Sequence, residues 1–400
     1  MSRYAGRRVL VTGGFGFLGS ALVKALVGRG AYVRVLDDAS RGTPASLEEA
    51  MRSGKVELIH GDVRDSERVR QAVRGVAAVH HLAYVNGTQR FYTQPAHVLD
   101  VGVKGMVNVI DACLDEGVEE LLLVSSSEVY QTPSQIPTDE TVPLSIPDPL
   151  NSRYSYGGGK IISELMAINY GREYFRRVLI VRPHNVFGPR MGKEHVIPQL
   201  IDRLLALRTA DPEETIRLPI QGSGEQTRAF IFIDDFTEAL CMVLERGEHL
   251  NIYHLGTMEE RSITGVAQAV AQAMNVTIQI VPGPEAPGGT RRRCPDTGKL
   301  TALGFRPRFS FDEALRITVD WYLSQQQPQD DALETSARSP IVAESPRLQS
   351  GKKGEAGVAA KPGRQGTGEV EHGFDAVPPH GRQQEPRASA YGATQRGPRA

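Results

Sequence analysis

Cysteine is scarce in this chain: Cys113, Cys241 and Cys294 are the only three in 400 residues, far apart and without CxxC or His/Cys spacing. Three are too few for a disulfide framework and supply no ligand set for structural zinc, so a reduced, cytoplasmic setting and no metal are expected. A surplus of one charge is also missing, because 46 Lys and Arg stand against 47 Asp and Glu for a net charge of −1. That balance disfavours a nucleic acid or an anionic membrane recognised mainly through net charge. No apolar run approaches the roughly 18 residues that span a bilayer. From Met1 the sequence passes through a few basic residues into RVLVT without a signal-peptide core, so no membrane association is expected. What remains is ordinary globular composition, 40% apolar and 23% charged, in a chain long enough for two lobes.

Composition divides the chain. Of the last 70 residues 17 are Gly or Pro, against 49 in the first 330, and Phe374 and Tyr391 are the only aromatics among them. Such a segment buries too little apolar surface to offset its chain entropy, so 326–400 reads as a disordered tail. Before it, short β-branched runs alternate with helical patterns, the α/β signature of a doubly wound parallel sheet. The expected strands are Arg8–Thr12, Tyr32–Asp37, Val56–His60, Ala78–Leu82, Leu121–Ser125 and Val178–Arg182, with helices near 17–29, 64–75, 95–116 and 155–175. Residues 1–182 would form a dinucleotide-binding domain to which 229–257 return through Phe230–Asp235 and Asn251–Gly256. Residues 183–228 and 258–325 would form a smaller lobe.

Strand RVLVT runs into Gly13, Gly16 and Gly19, a GxxGxxG array opening a helix. There Gly13 permits the tight turn, Gly16 lets backbone approach a pyrophosphate, and Gly19 lets helix and strand pack closely. The helix N-terminus suits the diphosphate. Asp37 ends the second strand about 20 residues later, where a carboxylate accepts from ribose hydroxyls and repels the extra phosphate of NADP, which favours NAD. Arg34 and Arg41 flank that position and are the groups that would compensate in the NADP case. Asp62, in GDVRD, either accepts from the adenine amino group or caps the next helix.

Tyr156 and Lys160 are four residues apart, hence on one helix face. The ammonium, with an oxidised nicotinamide, would lower the phenol toward neutrality and make it a usable base. Hydroxyls of Ser125–Ser127 end the preceding strand, where ligands bind in such sheets.

The ordered set GGFGFLGS, LDD, GDVRD, HLA, SSSEVY, YGGGK, RPHNVFGP and GEQTRAF resembles the extended short-chain dehydrogenase/reductase family, specifically its NAD-dependent nucleotide-sugar epimerase/dehydratase group, over about residues 7–325. The resemblance implies a seven-stranded Rossmann sheet, a carboxy-terminal sugar-nucleotide lobe, tightly held NAD, and a homodimer through helices near 95–116 and 155–175. It places the cofactor on Gly13, Phe15, Gly16, Phe17, Leu18, Gly19, Asp37, Asp62, Val63, Leu82, Ala83, Tyr156 and Lys160. It makes Tyr156 the base for a sugar hydroxyl, Ser126 its hydrogen-bonding companion and Lys160 the group that holds the nicotinamide ribose. The nucleoside diphosphate sugar would meet Asn86, Ser126, Asn185, Arg228 and Arg293, although Arg291–Arg293 also reads as a solvated turn.

The reaction that follows sugar oxidation turns on Ser126 and its neighbours. The dTDP-glucose 4,6-dehydratases carry an Asp-Glu pair where this chain has Ser127-Glu128. Ser-Ser-Glu is similar to the Thr-Ser-Glu of UDP-glucuronate decarboxylases and GDP-mannose 4,6-dehydratases. Glu128 is therefore either a second acid/base or a structural group at the strand end. A 4-epimerase acting through a 4-keto sugar is the first expectation, with a dehydratase or decarboxylase as the alternative and a non-catalytic NAD-binding protein as a remote one. Departures from the family pattern are Gly102 in place of the Asn of NVxGT, YGGGK in place of YxASK, and Ala229 in place of an Asp. His184 stands where an aromatic is common, and either packs or assists proton transfer.

Overall fold

The structure, a computed structural model, describes residues 2–208, 214–285 and 288–326. The expected tail, beyond Gln326, lies outside the described residues. Runs such as Leu121–Val124 lack polar alternation, as strands covered on both faces require. Seven strands, β1 (Arg8–Thr12), β2 (Tyr32–Asp37), β3 (Val56–His60), β4 (Ala78–His81), β5 (Glu120–Val124), β6 (Arg177–Pro183) and β7 (Asn251–Leu255), form one parallel sheet in the order β3-β2-β1-β4-β5-β6-β7. This is the doubly wound Rossmann arrangement, and the six strands expected between residues 8 and 182 end within one residue of where the sequence places them.

Helices α1 (Phe17–Gly28), α2 (Gly105–Asp115), α3 (Ser155–Tyr174) and α4 (Ile233–Arg246) cover the sheet. Apolar spacing in α1 buries Leu22, Val23 and Leu26 against one sheet face, each such side chain contributing about 1.5–3 kcal/mol. The helix expected over 95–116 is present with a break in regularity: Pro95–Leu99 passes through a wide i→i+5 turn at Asp100–Lys104 before α2. Such turns concentrate at functional sites.

One expectation fails. Phe230–Asp235 does not return to the large sheet; Ile231–Phe232 pairs with Val186–Phe187 in a separate ribbon and α4 begins at Ile233. Asp234 and Asp235 explain this, since carboxylates suit the first turn of a helix. Buried Asp235 also accepts from the backbone N–H groups of Arg308 (3.1 Å) and Phe309 (3.2 Å). Of the two returning segments, Asn251–Leu255 enters the sheet, as β7.

The remaining pieces are helices Val196–Leu207, Ile263–Ala273 and Phe311–Ser324, a ribbon of Ile216–Ile220 with Ile278–Pro282, and a three-stranded set in which Thr227–Ala229 lies between Glu260–Ser262 and Arg292–Arg293. Phe187, Leu200, Val266 and Phe311 from these pieces share one apolar core with the α1 face of the sheet. That shared core holds the carboxy-terminal segments over the strand ends.

Candidate functional site

Winding reverses between β1 and β4, and such switch points open a crevice at the carboxyl ends of the strands. A cleft of about 1840 Å³ lies there, larger than the roughly 300–1,000 Å³ of a single-ligand pocket. It has room for a dinucleotide and a second nucleotide together.

All the expected cofactor residues line this cleft. Gly13 has φ +72°, and a Cβ there would lie 2.8 Å from the backbone of Ala83. A Cβ on Gly19 would overlap the Gly13 carbonyl oxygen. The turn is therefore a cradle that side chains would fill, which fits the pyrophosphate of NAD. The Asp37 carboxylate accepts from the Phe15 N–H (2.9 Å) and the Ala39 N–H (2.9 Å), bracing the turn. Burial raises its pKa, and those two N–H groups oppose the rise. Asp62 is paired with Arg64 at 2.6 Å, and that hydrogen bond lowers its pKa. The next helix is capped by Asp65, not by Asp62. Leu82 and Ala83 N–H both donate to Thr12 Oγ1 at 3.2 Å, while Val63 packs against Gly105.

On the other side of the crevice α3 carries Tyr156 and Lys160 under the end of β5. Ser126 Oγ accepts from the Glu128 N–H at 3.1 Å, and its hydroxyl lies near enough to Tyr156 to favour the ionised phenol. Phe91 stacks on Tyr156 at 4.6 Å between ring centroids, and Tyr84 meets it edge-on at 5.1 Å. Lys160 Nζ donates to the Val124 carbonyl at 2.7 Å. Burial pushes Tyr156 up to about 12, with Ser126 opposing, and burial pushes Lys160 down to about 7. Glu164, one turn beyond Lys160, is engaged by Arg182 at 2.6 Å.

Toward the carboxy-terminal pieces lies a cationic end. Arg228 and Arg293 stand in register on adjacent parallel strands. Arg228 donates to the Thr290 carbonyl at 2.7 Å. Burial and the Arg293 charge lower it to about 10. Arg293 donates to Glu128 at 2.7 Å, and Arg153 lies 3.7 Å from the same carboxylate. Burial alone would raise the Glu128 carboxyl, but the two guanidiniums hold it below its ordinary value. Sequence reasoning missed Arg153 and the contact of Tyr84 with Tyr156 and Lys160. Arg153 is signalled only by its place three residues before Tyr156, and Tyr84 only by following HLA.

Asn86 and Asn185 line the cleft. Asn86 accepts from the Gly87 N–H at 2.8 Å. Asn185 has φ +38°, a strained backbone for a non-glycine residue, and donates to the Ala229 carbonyl at 2.8 Å. His184 is fully buried against His254, 4.8 Å between rings, and burial holds it neutral. It faces His254 and Gly256, and it does not line the cleft. Among the described residues no helix is long and apolar enough to cross a membrane.

Comparison with known proteins agrees with this geometry. Residues 9–256 match the NAD dependent epimerase/dehydratase family. The chain is 30% identical to UDP-glucuronic acid decarboxylase 1 of Arabidopsis thaliana over 78% of its own length and 69% of the relative's. It is also 30% identical to UDP-glucose 4-epimerase of Mycolicibacterium smegmatis, over 80% of this chain and 100% of that one. The crystal structure of the dTDP-glucose 4,6-dehydratase DesIV from Streptomyces venezuelae, with NAD bound, superposes with a TM-score of 0.71 at 30% identity, covering 79% of this chain and 97% of that one.

Proposed function

The chain belongs to the NAD-dependent epimerase/dehydratase family, and within it we propose that this enzyme is a nucleoside diphosphate sugar 4-epimerase working through a transient 4-keto sugar. NAD, when bound, supplies a reversible acceptor for the hydrogen on the sugar carbon. Tyr156, as the phenolate, would take the proton of the 4-hydroxyl and give it back to the same oxygen after the keto sugar has turned its other face toward the cofactor, so that C4 regains its hydrogen on that opposite face. Ser126 holds the same oxygen by a hydrogen bond, and Lys160 orients the nicotinamide ribose beside Tyr156. Arg228 and Arg293 set two positive charges beside the diphosphate, Arg293 while it stays paired with Glu128.

One observation carries the choice of epimerisation. Glu128, the carboxylate beside Ser126, is tied at 2.7 Å to Arg293. Elimination needs a second free acid/base, whereas epimerisation needs only Tyr156. The second reading, dehydration or decarboxylation with Glu128 as that group, is favoured by the position of Glu128 on the cleft wall. Incubation with UDP-, GDP- and dTDP-sugars followed by mass spectrometry and NMR separates the two. A new isomer of unchanged mass is expected; loss of water or carbon dioxide would overturn the epimerase reading.

The homodimer belongs to the same reading. Leu99 and Val107 on one helical stretch, and Ile162 and Leu165 on α3, are large apolar residues left exposed, the composition of a helix-helix interface. Light scattering should give twice the chain mass, and Leu165→Glu should halve it.

A further inference from the structure

Three positions far apart in sequence meet beside Lys160. Tyr84 follows β4, Gly102 lies in the wide turn before α2, and Gly159 lies in α3. A Cβ on Gly102 would overlap both the ring and the hydroxyl of Tyr84, and a Cβ on Gly159 would overlap the hydroxyl. The two glycines therefore open the notch that the phenol fills. From that seat the ring presents its face to Lys160, whose Nζ is 3.9 Å from the ring centroid, and meets the Tyr156 ring at 82°, 5.1 Å between centroids. The Tyr84 hydroxyl is buried and has no hydrogen-bond partner among the described residues. An unpartnered buried hydroxyl is unfavourable, so the ring's contacts, and not its polar end, account for its place.

We propose that Tyr84 is a positioning residue for the Tyr156–Lys160 pair, capping the lysine head with its ring and fixing the tyrosine by edge contact, with Gly102 and Gly159 as the seat. The inference rests on the catalytic role proposed above for that pair. A cation over an aromatic face is attracted by the ring quadrupole, more strongly where water is excluded. The ring thus favours the protonated lysine, while burial opposes it. Besides Tyr84, the titratable groups facing Lys160 are Glu164 and Tyr156 on its own helix and His81 on β4, with the Val124 carbonyl as its hydrogen-bond acceptor.

Two measurements on the full chain without sugar nucleotide test this. The titration of Lys160 is followed by NMR of lysine labelled with 13C at Cε, assigned with Lys160→Arg. Tyr84→Phe keeps the ring and should titrate as the wild type. Tyr84→Leu keeps apolar volume but loses the π face, and should titrate lower by about half to one and a half pH units. The second measurement is thermal. Gly159→Ala should lower Tm in the wild type and be relieved in Tyr84→Phe, because only the hydroxyl stands closer than ordinary contact. Gly102→Ala should not be relieved, because ring carbons also block its Cβ. An unchanged Lys160 titration in Tyr84→Leu, or equal damage by Gly159→Ala in both backgrounds, overturns the proposal. Neither readout involves turnover, so such a failure leaves the epimerase reading standing, and failure of that reading in the sugar panel leaves these titrations intact.

Discussion

Arg293 stands in register opposite Arg228 on the neighbouring parallel strand. Two guanidiniums held side by side repel, and Arg228 shows it in a pKa lowered to about 10 by burial and by Arg293. A dianionic diphosphate relieves that repulsion. Arg228→Ala and Arg293→Ala should each weaken binding of UDP, GDP or dTDP, whichever binds, by about 10- to 100-fold, as expected for one lost charged hydrogen bond. The double variant should lose less than the product, because the two sites are neighbours. Isothermal titration with the free nucleotides reads this directly, and unchanged affinity would remove both residues from the binding site.

Glu128 separates the two reactions open to this scaffold. Glu128→Gln removes the counter-charge of Arg293 and Arg153 but keeps the shape. If epimerisation is the reaction, kcat should fall less than about tenfold; an acid/base would lose about 10²- to 10⁴-fold. A pH signature accompanies it. The folded carboxyl titrates below its ordinary 4.5, so the ion pair contributes stability above that value and loses it as pH falls through the folded pKa. The acid limb of a Tm-against-pH curve should be flatter in Glu128→Gln than in the wild type, and parallel limbs would contradict the ion pair.

Much of this was legible in the sequence, for reasons that differ by element. The strands were visible because parallel strands buried on both faces read as unbroken apolar runs, as in Leu121–Val124. The glycine turn was visible because its constraint is local: Gly13 and Gly19 are needed by backbone within a few residues or by one neighbouring strand. Pairing across the fold was not visible. Nothing in GEQTRAF or RRRCPD tells that Arg228 and Arg293 would lie opposite each other, or that Glu128 would bind Arg293. Phe230–Asp235 misled because its apolar start resembles a strand, while Asp234 and Asp235 were the helix signal. Gly102 and the YGGGK glycines looked like separate departures from the family pattern, and nothing in the sequence linked Tyr84 to them; only the fold makes them one contact.

The cradle at the first turn gives a cofactor test. Gly19→Ala places a methyl group on the Gly13 carbonyl, so the turn must open where the pyrophosphate would sit. Purified variant should carry less than about a tenth of the NAD of the wild type, since one strained hydrogen-bonded contact is enough for a tenfold change. Asp37→Ser should also lower NAD content, because it removes the acceptor of the Phe15 N–H as well as a ribose partner. Release of NAD on denaturation, quantified enzymatically, checks both. Wild-type content in Gly19→Ala would mean that the cofactor lies elsewhere.

Lys160 supplies a prediction in the basic range. Burial lowers it from 10.5 to about 7. Between those values the unfolded chain binds more protons than the folded one, so this group makes stability rise with pH. Below the folded value both states are protonated, and the unfavourable burial of the charge is present in full. Lys160→Met removes the charge and keeps most of the stem. It should abolish turnover, and its Tm relative to wild type should be most favourable near about pH 6 and decline by several degrees toward about pH 9.5. Loss of the hydrogen bond to Val124 shifts the whole curve without changing its slope, because a carbonyl does not titrate there. The slope difference between the two proteins, measured by scanning calorimetry, is therefore the diagnostic quantity. Curves that run parallel across this range would show that Lys160 keeps its ordinary pKa and that the dry environment around it is not as described.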